Sequence, residues 1–238
     1  MRPGRRGEPI CGFTLLEMAT VIAIIAILAA LAFSSLARDK PRANLASASV
    51  ELQSLLHQAR QSALASGEPV AVLLYPHYSP PGGSTGYLIV YQDACFDFFT
   101  GGGVCGVSYG TYDPSVLAAG QSGSTQSAVL DTMSLPQGIV VGPAAGMGAG
   151  ATLAAPLSGI AVSTACSFCG TTGGAVQFDG RGQASFYGLS GTTVTPLTVN
   201  GGASLSLGFD PAVAPDMTGQ RTLVVFSASG AVQTIDGG

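Results

Sequence analysis

Five cysteines, two histidines and one lysine are where chemistry would first be sought in this chain of 238 residues. Cys95, Cys105, Cys166 and Cys169 lie in the Gly-rich part of the sequence, and four cysteines allow three disulfide pairings. The local pairing, Cys95 with Cys105 and Cys166 with Cys169, would staple two loop-rich segments. Closing a loop of about ten residues contributes roughly 2–3 kcal/mol in the chain-entropy model. A crossed pairing would tie one segment to the other. The same four residues could make a tetrahedral zinc site, and the CSFC at 166–169 a redox pair, though no thioredoxin-like βαβ pattern surrounds it. Other signals are poorer. GGSTG at 82–86 formally matches G-x-S-x-G, but a nucleophile elbow needs a strand before it and a helix after it. Here Pro80 and Pro81 precede it and YLIVY follows, so it reads as a turn between strands. A phosphate-binding loop needs Gly-Lys-Ser/Thr, and the only lysine, Lys40, stands in no such context. His77 falls in the loop-like YPHYSPP, and His57 at a surface or boundary position of a helix. No enzymatic activity, cofactor or metal is expected.

The charge is sparse and uneven. Only 9% of residues are charged, Gly is abundant, and small residues and turns suit a β-rich domain. Arg2, Arg5 and Arg6 against Glu8 leave the first twelve residues at +2, and Arg38, Lys40 and Arg42 form a second basic cluster. From residue 43 onward three arginines (Arg60, Arg181, Arg221) face ten acids, a balance of −7. An acidic domain has no footprint for phosphate backbones.

Apolar residues dominate 18–33, with Thr20 the one interruption. With its flanks the run exceeds the roughly 20 residues of a bilayer-crossing helix. A secretory signal ending near ALAF (30–33) or a plain uncleaved anchor would each account for the apolar run. Neither accounts for Glu17. Further on, Leu45, Ala48, Leu52, Leu55, Leu56, Ala59 and Ala63 recur at three- and four-residue steps, so one stripe faces a globular domain. Pro41 should kink or loosen this helix, and Gly67 with Pro69 should stop it. After Gly67 the period shortens. Runs at 70–75, 86–92, 138–142, 175–179, 183–187, 194–199, 203–209, 222–226 and 231–235 are apolar or alternating and separated by Gly, Pro, Asp and Ser, as in antiparallel sheets. Asp179–Gly180 gives one hairpin its turn chemistry and SASG at 227–230 joins another.

ICGFTLLEMAT at 10–20 carries a more specific signal. Gly12 followed by Phe13, Thr14, Leu15, Leu16 and Glu17 resembles the cleavage motif of type IV prepilins and type II secretion pseudopilins. The resemblance implies a basic leader, residues 1–12, removed after Gly12 by a prepilin peptidase, and N-methylation of the new first residue, Phe13. It implies that Glu17 pairs with the free amine of a neighbouring subunit's first residue, an acid in lipid being costly without a partner. ARQSALASGEPVAV (59–72), VQFDGRGQASF (176–186) and GQRTLVVFSASGAVQT (219–234) are similar to the GspH/FimT group of minor pilins. The implied fold is α+β. A transmembrane and assembly helix, 13–37, continues as an amphipathic helix, 38–67, into an antiparallel β domain, 68–238, with insertions at about 76–135 and 143–174.

The implied localisation is the bacterial inner membrane, single-pass, with a periplasmic domain that enters a filament. The implied partners are other pilins or pseudopilins and the peptidase. An oxidising periplasm places disulfides at Cys95, Cys105, Cys166 and Cys169 ahead of zinc or redox chemistry. The implied function is a non-enzymatic subunit at the tip of a type II secretion pseudopilus or type IV pilus, priming assembly. A DNA-uptake pilin is one alternative, disfavoured because SASGAVQTID lacks Arg and Lys. An adhesive or calcium-linked surface protein using Asp210, Asp216 or the insertions is another. GPAAGMGAGATLAAP (142–156) reads as a flexible surface loop or a partner-contact loop.

Overall fold

A computed structural model describes residues 14–80, 85–101, 108–117, 128–142, 160, 165–199, 201–213 and 219–237. The chain forms two compact units, dividing between Lys40 and Pro41. The division falls inside one long helix, α1 (Leu15–Ser66). Pro41 cannot donate to the carbonyl four residues back, which weakens the backbone ladder at that joint.

In the first unit, Thr14 caps the start of α1. Glu17 N donates to Thr14 Oγ1 at 3.3 Å and to Thr14 O at 3.1 Å, which is the N-cap half of a Thr-x-x-Glu capping box. In the second unit the same helix becomes one-sided. Leu45, Ala48, Leu52, Leu55, Leu56, Ala59 and Ala63 are all buried, while Glu51, Ser54 and Gln58 are exposed. Gly67, at φ +73, ends it by donating its amide to Ala63 O at 2.9 Å, a left-handed cap that glycine adopts without strain.

Among the described residues ten strands follow: β1 (Val70–Tyr75), β2 (Tyr87–Gln92), β3 (Ala128–Ser134), β4 (Ile139–Val141), β5 (Gly173–Phe178), β6 (Ala184–Ser190), β7 (Thr193–Leu197), β8 (Gly202–Phe209), β9 (Gln220–Phe226) and β10 (Val232–Gly237). A short helix, α2 (Pro114–Leu117), lies between β2 and β3. The strands make two antiparallel sheets, one of six in the order β3-β2-β1-β5-β6-β7 and one of four in the order β10-β9-β8-β4. The helical stripe, one face of the six-stranded sheet (Val72, Leu74, Val90, Phe178) and the inner face of the four-stranded sheet (Leu205, Leu207, Leu223, Val225) share a single core. The alternate residues of β1, Ala71, Leu73 and Tyr75, point the other way into a second core with Ile89, Tyr91, Phe98, Phe99 and Tyr109. Both faces of β1 are therefore covered, which is why VAVLLY is apolar throughout rather than alternating.

The fold class, the transmembrane segment and the localisation expected from the sequence are corrected here. The fold is not a transmembrane helix running into an antiparallel β domain: no helix among the described residues is long and apolar enough to cross a membrane. A crossing needs about 20 predominantly apolar residues in one helix, and none of the described helices supplies them. The described strands form two antiparallel sheets. The transmembrane segment and the single-pass inner-membrane localisation fall with the helix that would have provided them. A further difference concerns the first insertion. Its described residues at 93–101 and 108–113 supply Phe98, Phe99 and Tyr109 to the second core, and the same insertion contains β3.

Candidate assembly site

Among its described residues, the first unit offers an apolar helix whose large side chains are exposed. Leu15 is 89% exposed and Leu16 74%, and Ile22, Ile24, Ile25, Ile27, Leu28 and Leu31 are all exposed as well. Within 15–31 only Glu17 and Thr20 carry oxygen atoms on their side chains, and Thr20 Oγ1 is turned back to Glu17 O at 2.9 Å. Large side chains on every side of a helix call for burial against something else. Glu17 is the sole charge in this stretch. At the third helical position it faces the positive end of the helix dipole, which favours a carboxylate there. Gly12 and Phe13, the expected cleavage and methylation residues, lie outside the described residues, as does Cys11.

The second unit places the remaining candidates. Cys166 and Cys169 are joined in a disulfide. Cys95 is also disulfide-bonded, and Cys105 lies outside the described residues. His57 is half-buried on α1 and His77 exposed after β1. Among the described residues no group of three or more His, Cys, Asp or Glu is arranged to hold a metal. Asp210 Oδ1 accepts the amide of Ala212 at 2.9 Å, closing a turn. Asp216, Ser84 of the GGSTG stretch and nearly all of 142–156 lie outside the described residues.

The structure adds residues that sequence reasoning passed over. Asp93 and Asp97 are buried at the start of the aromatic insertion. Asp93 Oδ2 accepts the amide of Phe98 at 3.2 Å, and its Oδ1 is buried with no hydrogen bond among the described residues. Burial raises the Asp93 carboxyl above its ordinary range; the Phe98 amide pulls it down and the neighbouring Asp97 charge pushes it up again. Burial raises the phenols of Tyr75, Tyr109 and Tyr112 as well. Tyr109 donates to Gly174 O at 2.7 Å, pinning the insertion to β5, and Phe99 stacks on Tyr187 with ring centres 4.1 Å apart. The run DACFDFF at 93–99 is the one available signal, and it has neither strand nor helix period. These residues meet one another inside a packed core, so their arrangement serves structure.

No family model, curated protein or solved structure matches this chain. The functional reading therefore stands on its own residues. Among the described residues, the feature that stands out is the exposed apolar stretch of α1 with a single acid near its start.

Proposed function

We propose that the chain is a non-enzymatic minor subunit of a pilin-type filament, of the type IV pilus or type II secretion kind, and that α1 between 15 and 31 is its assembly surface. The observation that carries this reading is the exposure of every large apolar side chain from Leu15 to Leu31 beside the lone carboxylate of Glu17. Fully burying one such side chain contributes about 1.5–3 kcal/mol. A set of them packed among the corresponding helices of other subunits is a substantial driving force for association.

Glu17 supplies register. Once apolar neighbours surround it, an unpaired carboxylate is costly, and the amine of a neighbouring chain beginning at Phe13 is the charge that would meet it. Processing after Gly12 by a prepilin peptidase is what creates that amine. The β domain is then the part that meets partners at the filament tip.

The test compares the unaltered chain with Glu17→Ala and Ile25→Asp variants in its own host, measuring the share recovered in sheared filaments. Both variants are expected to fall at least about tenfold, a 1.4 kcal/mol effect. Their thermal melting in isolation should stay unchanged, because neither residue belongs to the core. Equal recovery of all three chains would refute the assembly role.

A further inference from the structure

Segment 165–172 joins the two sheets, and we propose that its Cys166–Cys169 disulfide is a thiol-exchange site, a reducible latch at the joint between them. On one side the segment is sewn to β8. Ser206 N donates to Ala165 O at 2.7 Å, Ser167 N to Ser204 O at 2.9 Å, and Ser204 N to Ser167 Oγ at 2.8 Å. Cys166 itself pairs with Leu205 as an isolated antiparallel bridge. On the other side it is sewn to the six-stranded sheet. Thr172 N donates to Leu189 O at 2.9 Å, Gly191 N to Thr172 Oγ1 at 2.8 Å, and Gly170 N to Gly173 O at 2.8 Å.

Between the two sets of bonds Phe168 is buried, its ring centre 5.7 Å from that of Phe186. The sheet beneath is cut back to make room: a side chain at Gly174 would meet Cys169 Sγ at 2.9 Å and Phe168 Cδ2 at 2.9 Å. The disulfide thus sits at the seam, closing the loop that holds Phe168 in place.

Two features separate this bond from a simple staple. The sequence separation is only three residues, so it restricts the unfolded chain far less than a long-range cross-link would. The rest of the domain has two cores and its own sheet ladders, so it can survive the bond's loss while the segment loosens. Both cysteines are half-buried, not enclosed, which leaves a path for an attacking thiolate.

The partner class is a dithiol reductant. Its thiolate attacks one sulfur and releases the other cysteine as a thiolate, forming a mixed disulfide; its second thiol then displaces the first cysteine. Cys166 and Cys169 leave as two thiols and the reductant as its own disulfide. This inference is independent of the filament reading.

The test uses the full chain and dithiothreitol as the probe, with alkylation mapped by mass spectrometry alongside hydrogen exchange. Cys166 and Cys169 are expected to become alkylated while the β1 and β2 amides keep their protection. In that reduced chain the amides of Gly191, Ser204 and Ser206 should exchange at least about tenfold faster. A Cys166→Ser/Cys169→Ser variant should show the same fast amides without reductant and no further response there, which separates this bond from the one at Cys95. Unchanged exchange on reduction would overturn the latch. So would alkylation that occurs only as β1 and β2 lose protection, or a double variant unable to fold.

Discussion

Asp93 places a carboxylate in the interior, where ionisation costs more than it does in water. Burial is the larger influence, and it outweighs the backbone amides that favour the charged form. The folded state therefore holds the Asp93 proton more tightly than the unfolded chain does. The stability this proton contributes is complete below the ordinary carboxylate value of about 3.9 and is lost as pH rises through the raised folded value. Urea melts of the unaltered chain and Asp93→Asn should show the variant equal or more stable at pH 7, by up to about 1 kcal/mol, with the difference shrinking in acid. A loss above about 2 kcal/mol in the variant at pH 7 would mean that the carboxylate's bonds to the amides outweigh its buried charge. Gly230 is a second sharp case. It turns the last hairpin at φ +60, and a side chain there would run into Gly182 O. Because that obstacle is backbone, Gly230→Ala should cost about 2 kcal/mol or more, read as a lower urea midpoint.

Among the elements, α1 is two helices in energetic terms. Leu52 is fully buried and Ile25 is 59% exposed, although both lie on one helix. Leu52→Ala should cost about 2–5 kcal/mol of unfolding free energy, while Ile25→Ala should change the isolated chain by less than about 0.5 kcal/mol. Chemical denaturation of both variants checks the pair. The buried half is legible because Leu45, Ala48, Leu52, Leu55, Leu56, Ala59 and Ala63 keep the helical step, and the strand runs are legible from their alternation and their turn residues.

β3 escapes notice because AVLDTMS sets Asp131 among its apolar residues and its register against β2 shifts between Val90 and Tyr91. The aromatic cover escapes because Phe98, Phe99 and Tyr109 are brought together by tertiary packing, which leaves no period in a sequence. The membrane expectation fails because no helix among the described residues is both long and apolar enough to cross. At the candidate site, Glu17 is readable as an isolated acid, and its local bond to Thr14 follows from the Thr-x-x-Glu spacing.

For the molecule as a whole, the two units divide the work. One closes upon itself, with two cores, two sheets and a latch at their seam. The other leaves the large apolar side chains of 15–31 exposed beside the one acid of that stretch, Glu17, and on the proposed reading other chains cover both. Mass spectrometry of the chain in filaments sheared from its own host tests this most directly. A chain present there and beginning at N-methylated Phe13, lighter by residues 1–12, is the predicted result. A chain absent from the filaments, or one that retains residues 1–12, would contradict it.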